Sequence, residues 1–242
     1  MSSIKESPRR FPMAIPREVS IAGEALGRFE YANVTADLRH LSPLEALVVA
    51  QARLDAAMES AEVQSKAKTA CREGCSYCCY YQVDVSAHEA LQIVDFVSKQ
   101  FSKEKISEFL DAADANAAII RKLTRAEHRA TNIACVFLRD GRCSIYPVRP
   151  LHCRTHHATD VEGCKQSYVN PTVDTANTFI PVLFVYGNAS KLAIYSALSK
   201  SGVDSRMYEL TTAFLEGMSS HATLKRYRQG KKAFPTAIVV ID

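Results

Sequence analysis

Four of the chain's eight cysteines fall within nine residues, at Cys71, Cys75, Cys78 and Cys79, and the rest follow as Cys135, Cys143, Cys153 and Cys164. A thiolate is a soft ligand, and several on one short loop can surround a metal ion or cluster with little chain entropy lost per ligand. Cysteine-ligated metal, zinc or iron, is the chemistry this spacing points to first. Successive residues of extended chain point to opposite sides, so Cys78 and Cys79 can face one ion only if the loop turns between them. That favours two neighbouring centres. In one arrangement Cys71, Cys75 and Cys78 serve the first, while Cys79 reaches toward ligands from later in the chain. Eight thiolates suit two four-thiolate sites or one polynuclear cluster equally well. His152, His156 and His157 flank Cys153 closely enough to replace a cysteine, or to orient a ligand from outside.

Composition narrows the setting. With 242 residues the chain can bury a sizeable core as one domain with extensions. The early apolar stretch Phe11 to Pro16 is too short and proline-broken for an export signal, and the run from Phe179 to Tyr186 is too short to cross a bilayer. The expectation is a cytoplasmic protein without a membrane span. A reducing compartment rarely sustains disulfides, so eight cysteines need another purpose there. A secreted disulfide framework would also have to accommodate the adjacent pair Cys78 and Cys79. The formal charge of +4 counts thiols as neutral. Two four-thiolate centres, each holding Zn²⁺ or a [4Fe–4S]²⁺ cluster, would bring it to about zero. Charge therefore gives no reason to expect nucleic acid, and the run Lys225, Arg226, Arg228, Lys231, Lys232 reads as a solvated face. A protein partner stays open.

The elements that must position the cysteines are mainly helical. Residues 1–41 carry prolines and no sustained periodicity and read as an arm. Ser42-Pro43-Leu44-Glu45 has the features of a helix start, with a capping box and proline at the first position, and its helix should reach about Thr69. Residues 80–85 have strand propensity. Ser86 and Glu89 repeat the capping box, and Ser102 should cap a third helix. His88 and His128 lie in or beside helical segments and read as surface or capping-turn histidines. Cys135 to Tyr146 reads as a β-hairpin around Asp140-Gly141, with its two cysteines side by side. Cys153 follows in a short helix, and Gly74 and Gly163 would let backbone turn closely around a bound sulfur. Residues 172–200 are helical in pattern with a kink at Pro181, Ser205 should cap a helix through Phe214, and Ala237 to Ile241 is strand-like. Arg72, Arg142, Arg149 and Arg154 are placed to offset thiolate charge, whereas Asp111 and Asp114 read as a solvated helix face. The whole is a mainly α fold with a small β-hairpin and a cysteine-ligated metal centre held between helices. Residues 42–200 form the cysteine-cluster domain, and 201–242 a helical extension packed on it.

Taken together, Cys-x3-Cys-x2-Cys-Cys at 71–79, a Cys-x7-Cys hairpin ending Gly-Arg-Cys-Ser-Ile-Tyr, and Val-Arg-Pro-Leu-His-Cys-Arg at 148–154 resemble the YkgJ-like cysteine-cluster family. Its name ascribes zinc or iron chelation to a CxxCxxCC domain, and its relatives include flagellin lysine N-methylases. The resemblance covers Cys71 to Cys164. It implies metal binding, with an iron–sulfur cluster as one form, by Cys71, Cys75, Cys78, Cys79, Cys135, Cys143, Cys153 and Cys164. An S-adenosylmethionine-dependent protein lysine N-methylase is the enzymatic alternative, resting on analogy alone. Cys71-x3-Cys75-x-Tyr77-Cys78 also resembles the radical S-adenosylmethionine signature. The following chain lacks the repeated strand–helix units of that class, and five cysteines would go unused. No catalytic residue can be named.

Overall fold

The computed structural model of the chain describes residues 14–172 and 179–240. Among them are ten helices and four short strands. Capping chemistry sets most of the helix starts. Helix α1 spans Arg17–Asp37 and α2 spans Pro43–Ser65, the latter begun by the Ser42/Glu45 capping box with Pro43 at its first position. Strand β1 (Asp84–Ser86) leads into α3 (Ala87–Gln100) through the Ser86/Glu89 box. Helix α4 (Lys103–Ile120) is capped by Ser102, and α5 (Arg125–Arg129) by a third box, Thr124/Glu127. The hairpin is β2 (Leu138–Arg139) and β3 (Arg142–Cys143). Then come α6 (Leu151–Thr155), α7 (Val161–Val169) and α8 (Pro181–Leu198). The chain finishes with β4 (Met207–Glu209), α9 (Leu210–Ser219) and α10 (Thr223–Arg228).

Several expectations need correction. Residues 17–37, read as part of an arm, form a helix whose buried residues are only Gly23, Glu30 and Val34. So sparse a stripe leaves no clear periodicity, and Pro16 before it offers no side-chain cap. What holds α1 is close packing on α8, where a Cβ added at Gly23 would sit 2.2 Å from Val185 Cγ1. A bidentate Arg53–Glu30 pair from α2 adds to it. Pro181 opens α8 instead of kinking it, because its missing N–H costs nothing in a first turn. Glu209, not Ser205, caps the next helix, and the residues between form β4, which pairs antiparallel with β1 across Val85 and Tyr208. The strand-like end makes a single bridge, Val239 to Tyr208. Residues 173–178 and Ile241 lie outside the described residues.

Three apolar clusters result, the smallest formed by Ala61, Ile180 and Leu183. Of the other two, the larger joins β1, α3, α4, the hairpin flanks and α9, with a chain of edge-to-face rings running Phe101, Phe109, Phe137, Phe214 at centroid spacings of 5.2, 5.6 and 4.8 Å. The smaller joins α1, α2, α6 and α8 through Val34, Leu47, Leu54, Leu151, Ile194 and Leu198. Paired amide bonds between Gln51 and Gln92, of 2.9 and 2.8 Å, tie α2 to α3.

His88 and His128 are not at the surface; both are buried. Neither ring nitrogen of His88 has a hydrogen-bond partner, and its ring meets Tyr227 edge-on at 5.3 Å. Burial pushes its pKa from 6.5 down to about 4, with Asp204 pulling the other way. Between those values the unfolded chain binds a proton that the folded chain refuses, so this stability is present above pH 6.5 and is lost as pH falls toward 4. His88→Leu is therefore expected to be near neutral at pH 7. At pH 5 it should gain on the natural chain by about 2 kcal/mol, measured by urea unfolding at the two pH values. Gly23→Ala is expected to destabilise by about 1–2 kcal/mol in the same assay, and Val185→Ala added to it should restore most of the loss.

Candidate metal centre

Each cysteine sits within a few residues of something stiff. Helix α2 ends at Ser65, and Glu62 Oε1 accepts from both the backbone N–H and the hydroxyl of Thr69, while Ala70 N–H donates to Ala158 O at 2.7 Å. These bonds deliver Cys71. Gly74, at φ 87°, supplies the left-handed residue that bends the loop toward Cys75, whose N–H donates to Arg72 O. A single 3-10 turn, Tyr77–Tyr80, then carries Cys78 and Cys79. The chain thus turns between the adjacent cysteines. Tyr77 and Tyr80 both pack on Tyr168 of α7, at 5.7 and 4.8 Å, which brings the helix carrying Cys164 against this turn.

The hairpin reverses through Asp140 (φ 51°) and Gly141 (φ 75°), the two positive-φ residues a tight two-residue hairpin needs. Its flanks are fixed by the buried side chains of Val136, Phe137 and Ile145 in the larger cluster. Its base is tied to the first loop by a 2.8 Å bond from Cys135 N–H to Cys79 O. Its tip abuts the same loop, since a Cβ on Gly141 would lie 3.3 Å from Gly74 O. The buried residues Phe137 and Ile145 direct their backbone N–H groups at the sulfurs of Cys135 and Cys143. Such donors favour the ionised sulfur. Cys153 lies in α6, two residues after the fully buried Leu151. Gly163, expected to permit a tight turn, is helical in α7, with its N–H held by the Asp160 cap.

All eight cysteines are free thiols. Cys78 sits at their crossing point. Burial raises Cys71, with the charges of Cys78 and Cys75 adding to it. Burial likewise lifts Cys164 to about 11, with Cys71, Cys75 and Cys78 behind it. Burial again pushes Cys135 up to about 12, aided by Cys143 and Cys78, and raises Cys153 well above its ordinary value, aided by Cys135, Cys78 and Cys143. The neighbouring Cys79 thiol is the first cause holding Cys78 itself high, ahead of burial. The thiols influence one another in two sets: Cys71 and Cys75 with Cys164, and Cys135 and Cys143 with Cys153, with Cys78 acting on both. Among the described residues, no three histidine, cysteine or acidic side chains converge on one ion-sized point. The donor chemistry nevertheless suits a soft cation, which would reverse the mutual opposition of the thiolates and release their protons.

The flanking groups divide by role. His157 is buried with both nitrogens engaged: Nδ1 lies 3.2 Å from Thr155 O, and Nε2 accepts from Ile180 N–H at 3.1 Å. It clasps the start of α8. His156 packs edge-on to Tyr81 and Phe179, and burial pushes its pKa down to about 4. Of the arginines expected to offset thiolate charge, Arg149 alone lowers the pKa of a cysteine, Cys143, while stacking on Tyr146 and pairing with Asp55. Arg154 turns instead to Asp55 and the carbonyls of Pro147 and Arg149. Arg142 pairs with Glu73 at the surface. One residue reaches farther than its local pattern indicates: Glu89, which the sequence marks only as a local cap, also accepts from Leu151 N–H, 62 positions later. His157→Ala is expected to lower the stability of the chain by about 1–3 kcal/mol, read as an unfolding midpoint, while leaving bound metal per chain unchanged.

A family model described as "CxxCxxCC: Putative zinc- or iron-chelating domain" matches residues 70–175, a span that holds all eight cysteines. Neither the curated proteins nor the solved structures hold a significant match to the chain. The three-part cysteine pattern, the hairpin and the short helix behind it all fall inside the matched span, so the match supports a likeness to the CxxCxxCC family over residues 70–175.

Proposed function

We propose that the chain chelates zinc or iron through its eight cysteines, in two adjoining groups that meet at the Cys78-Cys79 turn. One group is Cys71, Cys75, Cys78 and Cys164; the other is Cys79, Cys135, Cys143 and Cys153. The observation that carries this reading is eight unpaired thiols on separate segments, among which Cys71, Cys135, Cys143, Cys153 and Cys164 are each raised in part by the charge of neighbouring thiols. Such an assembly has a strong electrostatic need for a cation. The backbone N–H groups aimed at Cys135 and Cys143 favour the same ionised state. Bound zinc would cross-link the four segments and add its binding energy to folding. An iron–sulfur cluster on the same thiolates would add electron transfer. Either form requires a reducing compartment, such as the cytoplasm, to keep the thiols available.

Metal and acid-labile sulfide analysis, with an absorption spectrum, on protein purified without oxygen tests this directly. Two mononuclear sites give about two zinc per chain and no colour. Iron with sulfide and a broad visible band gives the cluster form. A chain that retains no metal and whose thiols all alkylate freely overturns the reading. Cys78→Ser, in the turn where the two groups meet, is expected to disturb both and remove more metal per chain than Cys164→Ser or Cys143→Ser, which lie away from that turn.

A further inference from the structure

Glu89 is fully buried, yet four donors converge on its carboxylate. Oε2 accepts from Ser86 N–H at 2.7 Å, Ser86 Oγ–H at 2.8 Å and Tyr195 O–H at 3.1 Å; Oε1 accepts from Leu151 N–H at 2.7 Å. An ordinary capping box uses one carboxylate oxygen on its own helix. Here the second oxygen holds the first residue of another helix, α6, where the preceding Pro150 has no N–H to offer. The carboxylate therefore lies at the positive ends of α3 and α6 together, and Tyr195 adds a tie to α8.

Both arms of this bridge lead to cysteines. Ser86 closes β1, the strand that the chain enters soon after Cys79. Leu151 is two residues from Cys153 and packed without exposure in the smaller cluster. We infer that Glu89 is a positioning residue of the metal centre, setting the placement of Cys153 against the Cys78-Cys79 turn through its bonds to Ser86 and Leu151. This rests on the chelation reading above. Glutamine at position 89 keeps the shape and one acceptor oxygen, but turns an amide donor toward N–H and O–H donors. Tyr195→Phe removes one of the four bonds and keeps the ring.

The test compares the natural chain, Glu89→Gln and Tyr195→Phe well below their unfolding temperatures. Zinc release to an excess of chromophoric chelator is followed, along with iodoacetamide alkylation of Cys153 and Cys164 in the metal-free chain, resolved by mass spectrometry. Glu89→Gln is expected to release zinc about tenfold faster, and Tyr195→Phe about threefold faster. Cys153 should alkylate faster in both, with Cys164 unchanged. A merely structural role would lower the unfolding midpoint while leaving zinc release alone, or would speed both thiols evenly. A folded Glu89→Gln whose zinc release stays within about twofold of the natural chain overturns the inference. Should Glu89→Gln not fold, unchanged release from Tyr195→Phe overturns it. If the natural chain binds no zinc, chelation of zinc fails separately, and the selective alkylation of Cys153 still decides the role of Glu89.

Discussion

Like groups resist being gathered, and thiols from separate segments that oppose one another's ionisation are the constraint on which the rest of this fold depends. Loops cannot hold such a set unaided, because ordering each residue costs conformational entropy that a thiol contact does not return. The chain answers by anchoring every cysteine segment nearby. Phe137 and Ile145 sink the hairpin flanks into the aromatic core, and Leu151 sinks the start of α6 into the other cluster. Tyr168 wedges α7 against Tyr77 and Tyr80. Cys153 also packs against the larger cluster, so it stands where the two cores meet. The scaffold is stiff where the thiols need it.

Charge near the thiols is arranged with restraint. A guanidinium beside each sulfur would be the simplest compensation, but Arg154 and Arg142 are committed to carboxylates and carbonyls, and only Arg149 lowers a thiol. Backbone N–H groups take that part at Cys135 and Cys143. They are fixed dipoles that need no counter-charge of their own. A fully compensated set would have less electrostatic reason to take a cation.

The local features of this architecture were written plainly in the sequence. Ser42/Glu45, Ser86/Glu89 and Ser102 mark helix starts because a cap is a short-range hydrogen bond whose two ends lie three residues apart. Asp140-Gly141 marks the hairpin for the same kind of reason. Helix α1 was hidden because its place is earned by a partner far along the chain, with a glycine contact instead of an apolar stripe. Strand β4 was hidden because three residues carry too little pattern to be seen. At the site, the cysteine spacing was legible, but the turn at Cys78-Cys79, the clasp role of His157 and the second bond of Glu89 depend on partners that spacing does not encode.

The pairings that close the fold run between its outer parts: α1 lies against α8, and β1 joins β4. Every cysteine, by contrast, lies between residues 71 and 164. As the chain leaves the ribosome, all its thiols are therefore made before the second partner of either pairing exists. For that interval the growing chain presents its full complement of thiols without the framework that later orders them. The species most open to oxidation or to a wrong metal is then the unfinished polypeptide, and speed in completing the last third of the chain is a form of protection.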